Sequence, residues 1–126
     1  MRHALALAGV GVLLACCSSG GSGRQTATPP ESGGAIVVTA RDRHFTPESI
    51  SVRSGAAADI TFENDSSEQH TFTVYLGGTP GGTVVGDTGD VAPGDRGELS
   101  LLFKKGTHAF ECKIHPSSMH GVIVVR

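Results

Sequence analysis

Residues 108–121 read His-Ala-Phe-Glu-Cys-Lys-Ile-His-Pro-Ser-Ser-Met-His-Gly, so Cys112, His115 and Met119 follow one another at spacings of three and four. Another imidazole, His70, stands upstream in His-Thr-Phe-Thr-Val-Tyr-Leu, residues 70–76. A thiolate, imidazoles and a thioether are the donors that bind soft and borderline transition metals. The plainer readings are an inert buried thiol at Cys112, a strand-end histidine at His70 and a core-filling methionine at Met119. The Cys112 neighbourhood argues against the first, because the chain holds only two other cysteines, Cys16 and Cys17, both near the N-terminus.

The elements that must position these residues are short strands. Glycine is abundant (18 residues) and tryptophan is absent, which favours a β protein with many tight turns. Apolar or alternating runs occur at 35–40, 49–52, 57–63, 70–76, 97–103, 107–112 and 121–125, with a short one at Val84–Val85. No segment shows helical periodicity. The expected fold is an all-β, Greek-key sandwich of about seven to eight strands. By the period of two, Phe110 and Cys112 share a face, and so do His70, Phe72, Val74 and Leu76. Cys112 ends one strand and Gly121 begins the next, so the segment between them is a loop at one end of the sandwich, stiffened by Pro116. His70 should project at an end of the sandwich from the core side.

Two imidazoles, a thiolate and a weak axial thioether form the ligand set of a type I (blue) copper electron-transfer site. Residues 35–126 resemble the cupredoxins, the family of plastocyanin, azurin and amicyanin. The resemblance is carried by the Cys-Lys-Ile-His-Pro-Ser-Ser-Met loop, the upstream Phe-Glu-Asn-Asp-Ser-Ser-Glu-Gln-His-Thr-Phe segment, the early His-Phe-Thr-Pro strand and the Pro-Gly-Asp turn. It implies one copper ion held by His70, Cys112, His115 and Met119. The His-to-Met spacing is one longer than in short-loop members, and His120 competes with Met119 for the axial position. The resemblance also implies that Asn64 and Thr71 brace the site from outside the ligand set, and that His115 and Pro116 form an apolar edge where electrons leave. The implied role is one-electron transfer and not enzymatic catalysis. A copper sink, chaperone or sensor is the alternative. Zinc would also suit a Cys/His site, although its structural sites are usually closed tetrads. His44 and His108 read as structural or solvated. Asp87, Asp90 and Asp95 lack the spacing of a calcium loop and read as turn residues.

The N-terminus reads as processing sequence. Residues 1–16 combine Arg2 with a short apolar run and end in Leu-Leu-Ala-Cys, which resembles a bacterial lipobox and implies lipidation at Cys16. Residues 17–34 are rich in Gly, Ser, Thr and Pro and cannot bury a core, so a flexible tether is expected. The expected location is extracytoplasmic, with a lipid anchor on the outer face of the cytoplasmic membrane, or secreted or periplasmic without the lipid. A net charge of −2 offers no basic stripe for nucleic acid. The expected partner is a redox protein, and the expected state a monomer.

Overall fold

The computed structural model describes residues 35–126. The leader-like segment, Cys16 and the tether lie outside the described residues. The strands are β1 (Ile36–Arg41), β2 (His44–Thr46), β3 (Ser49–Val52), β4 (Ala57–Asn64), β5 (Thr73–Tyr75), β6 (Val84–Asp87), β7 (Arg96–Leu102), β8 (Gly106–Glu111) and β9 (His120–Val125). One sheet has the order β2-β1-β4-β7 and the other β3-β9-β8-β5-β6. The β1–β4 and β3–β9 pairs are parallel and the other pairs antiparallel.

The two sheets form the expected sandwich because their strands alternate. In β4, Ala58, Ile60, Phe62 and Asn64 point inward while Ala57, Asp59 and Glu63 are exposed. The centre is a phenylalanine cluster in which Phe45 meets Phe62, Phe72 and Phe110 edge-on at ring-centre distances of 5.4–5.8 Å. Phe72 lies 4.9 Å from Phe110 and 5.7 Å from Phe62. Each such ring is worth about 2–3 kcal/mol in burial alone.

The described residues hold nine strands, more than the seven or eight expected. The short β2 shows no alternation to count, because Phe45 is its single inward residue between exposed His44 and Thr46, and only the resemblance of the His-Phe-Thr-Pro segment marks it as a strand. A two-residue turn joins β2 to β1, with Asp42 at φ 51°, a left-handed conformation that Asp tolerates better than most side chains. That turn presents Arg43. The 70–76 segment also differs from expectation. Its ladder covers only Thr73–Tyr75, and His70 instead makes a single bridge with Val91. The pairing with β6 shifts register between Val74 and Tyr75. The alternation breaks there, so Tyr75 is buried and Leu76 is 52% exposed.

Candidate metal centre

Cys112 follows β8 directly, and its N–H donates to the Met119 carbonyl at 2.9 Å, closing the loop between β8 and β9. Inside the loop, the Cys112 carbonyl accepts from the His115 N–H at 3.2 Å. The His115 carbonyl accepts from the Ser118 and Met119 N–H groups at 3.2 and 3.0 Å. These bonds fold the segment into compact turns and tie Met119 to both other loop residues. His70 enters from the other side, fixed by backbone bonds to Val91 of 3.1 and 2.8 Å.

Three of the four side chains converge. The Cys112 Sγ lies 3.8 Å from His70 Nδ1 and 3.9 Å from His115 Nδ1. One ligand atom from each of these three residues falls within 4.8 Å of the others. His70, Cys112 and Met119 are fully buried, whereas the His115 side chain keeps 16% of its exposure. Met119 belongs to the same buried cluster as Cys112. His120 is exposed at the start of β9, paired with Glu111. The strand's alternation thus turns Met119 inward and His120 outward.

Hydrogen bonds hold this group from outside. The Thr71 N–H donates to Cys112 Sγ at 3.4 Å, and Thr71 Oγ1 accepts from the Lys113 N–H at 2.9 Å. Thr71 therefore joins the His70 segment to the loop that carries Cys112. Asn64 Nδ2 donates to the Glu68 and Val91 carbonyls, each at 2.8 Å. His70 Nε2 lies 2.8 Å from the Ser66 hydroxyl. Glu68 Oε2 lies 3.4 Å from His115 Nε2, and Arg43 grips the same carboxylate with two bonds of 2.9 Å. Lys113 pairs with Asp87.

Burial, reinforced by the neighbouring His115, holds the His70 imidazole below its ordinary pKa, against the opposing pull of the Asp42 carbonyl and Glu68. His70 is thus kept in the neutral form that a metal requires. The Arg43 hydrogen bonds keep the Glu68 carboxyl below the usual carboxylate range.

The donor set suits copper. One sulfur and two imidazole nitrogens face a common point, the Met119 thioether on the same loop is buried, and little water can reach them. That is the His2Cys set with weak axial Met of type I copper sites. The edge at His115 is mixed in character: its chain neighbours Pro116 and Ile114 are exposed, the latter at 46%, while His115 itself meets the Glu68 carboxylate that Arg43 grips. Arg43, Ser66 and Glu68 carry no sequence signature of their place around the site. Arg43 and Glu68 are 25 residues apart, and no local pattern connects them. Ser66 has only the turn-like Asn-Asp-Ser-Ser run as a signal.

The cupredoxin-like domain family matches residues 6–125, and the chain belongs to that family. Among solved structures, it is similar to dithionite-reduced auracyanin from the photosynthetic bacterium Roseiflexus castenholzii. The identity is 20%, with 77% of this chain and 99% of that one covered, at a TM-score of 0.68. Auracyanin A, a "blue" copper protein from Chloroflexus aurantiacus, matches at 18% identity over 74% of this chain and all of that one, with a TM-score of 0.62. A purple cupredoxin from Nitrosopumilus maritimus matches at 19% identity, 72% and 99% coverage, and a TM-score of 0.55. No curated protein matches the chain.

Proposed function

We propose that this protein is a one-electron carrier that binds a single copper ion through His70, Cys112, His115 and Met119. The observation that carries this reading is the buried Cys112 sulfur with two imidazole Nδ1 atoms at 3.8 and 3.9 Å. Copper bound there would exchange one electron between Cu(I) and Cu(II). The cysteine and the two histidines hold the ion, while the methionine, a weak ligand, adjusts its potential. The packed β scaffold fixes all four side chains, which limits rearrangement on electron arrival. Electrons would cross at the partly exposed His115, beside Pro116 and Ile114, to a redox protein docked there. The leader-like N-terminus and Cys16 support a location outside the cytoplasmic membrane, held to it by lipid.

The test is to titrate the purified protein with Cu(II) and record visible and electron paramagnetic resonance spectra, with Cys112→Ser alongside. An intense thiolate-to-copper charge-transfer band is expected at one equivalent and absent from the variant. Reversible voltammetry should follow. A pale solution with ordinary tetragonal copper signals in both proteins would refute the reading. Tight Cu(I) binding without reversible oxidation would point to copper handling instead.

A further inference from the structure

Ser66 and Glu68 belong to the loop that connects β4 to His70, and neither is in the ligand set. Their contacts with the imidazoles nevertheless bear on where the ring protons sit. Asn64 fixes the direction of the network. Its Nδ2 faces two carbonyls, of Glu68 and Val91, each at 2.8 Å. Carbonyls only accept, so the amide nitrogen must lie on that side and Oδ1 on the other. Oδ1 then accepts from the Ser66 N–H at 3.2 Å and faces the Ser66 hydroxyl at 2.7 Å. Ser66 has a single hydroxyl proton. Its acceptors are Asn64 Oδ1 at 2.7 Å and the Glu68 carbonyl at 3.1 Å. In either case the proton is committed away from His70. Toward His70 Nε2, at 2.8 Å, the Ser66 oxygen can only accept.

Nε2 of His70 must therefore carry the ring proton, and Nδ1 keeps its lone pair toward Cys112. The Glu68 carboxylate, which only accepts, stands 3.4 Å from His115 Nε2 and so favours the proton on that nitrogen.

We infer that Ser66, oriented by Asn64, is a positioning residue that presets His70 in the Nε2–H tautomer, with Glu68 doing the same for His115 from the same loop. The purpose assigned to the two free Nδ1 atoms rests on the proposed copper site. The tautomers themselves belong to the metal-free protein.

The test uses the metal-free full chain. Long-range proton–nitrogen NMR at slightly alkaline pH should show both rings with the proton on Nε2. Ser66→Ala should shift the His70 ring-nitrogen resonances while leaving the backbone amide spectrum folded. It should also weaken binding of Cu(II), and of Co(II) as a second probe, by about tenfold or more. Ser66→Thr, which restores a hydroxyl, should recover both. A His70 or His115 ring protonated on Nδ1 in the wild type would overturn the inference, as would a Ser66→Ala protein with unchanged ring shifts and affinity. If the tautomers are as stated but copper gives no thiolate band, the proposed function fails and the positioning of the rings stands. If copper gives the band but the proton sits on Nδ1, the function stands and the positioning of the rings fails.

Discussion

Gly121 is the residue whose replacement tests most directly how the scaffold sets the ligand loop. It lies two residues after Met119, opposite Phe110 in the β8–β9 ladder. A Cβ built on it would lie 2.7 Å from Phe110 Cε2, and closer still to Phe110 Cζ and the Glu48 carbonyl oxygen. Carbon contacts settle near 3.5–4 Å, so one side would have to retreat by roughly 1 Å or more. Neither side yields easily. Phe110 is wedged against Phe45 and Phe72 at 5.4 and 4.9 Å, and the Glu48 carbonyl is held by the Val122 N–H at 2.9 Å. Gly121→Ala should therefore cost about 3 kcal/mol or more, the upper end for overpacking. In a domain of this size that lowers the melting temperature by roughly 12–24 °C. The assay is thermal and urea unfolding of the metal-free protein. Gly78→Ala serves as control, since its new Cβ would meet only Thr107 at an ordinary 3.7 Å. In the copper-loaded protein, displacement of the start of β9 should also alter the charge-transfer spectrum through Met119. A Gly121→Ala protein that melts with the wild type would refute the packing argument.

Phe72→Ala removes a fully buried ring that touches three other phenylalanines, and should cost about 3–5 kcal/mol in urea unfolding. Thr71→Val keeps the shape but deletes the acceptor of the Lys113 N–H; a loss of about 1 kcal/mol is expected, with faster release of bound copper to a chelator. Burial, helped by the 2.7 Å bond to Glu111, pushes the Tyr75 phenol up to about 12. The folded chain thus keeps a proton that the unfolded chain loses near pH 10, so Tyr75 adds stability below pH 10 that disappears as pH rises toward 12. An ultraviolet phenolate titration should show ionisation near pH 12, and Tyr75→Phe should flatten the alkaline fall in melting temperature.

The sequence conveys the candidate site better than its surroundings, for a physical reason. Cys112, His115 and Met119 lie on one loop, so their proximity follows from spacing. Alternation with Phe72 places His70, and its inward aim survives although regular strand begins only at Thr73. Leu76 breaks the expected alternation because a register shift is invisible to a period-two count. Strand β2 is legible only through its resemblance to a family motif, because three residues with one inward side chain give too little periodicity to detect. The contacts around the imidazoles are hidden for another reason. Arg43 reaches Glu68 only because the tight turn at Asp42 and the loop after Asn64 come to the same end of the sandwich. That convergence is a property of the folded chain and not of any window of sequence.

The outer contacts bear on what metal binding must accomplish. A site whose donors are scattered before the metal arrives must draw the cost of ordering them from the binding energy. Here the ordering comes from elsewhere. The Thr71 N–H holds the sulfur, Thr71 Oγ1 holds the Lys113 backbone, and the Cys112–Met119 bond closes the loop. The fold also packs its own apolar core, so its stability has a source apart from any metal. Metal should then act as an ordinary ligand of a folded protein and not as a folding trigger. Stabilisation would follow mass action, about 2.7 kcal/mol at a hundredfold excess over the dissociation constant. Circular dichroism should show the same β structure with and without copper, and amide exchange should slow most in residues 112–119. A chain that is unfolded without copper and folds on adding it would show that the hydrogen bonds around Thr71 do not suffice to order the loop.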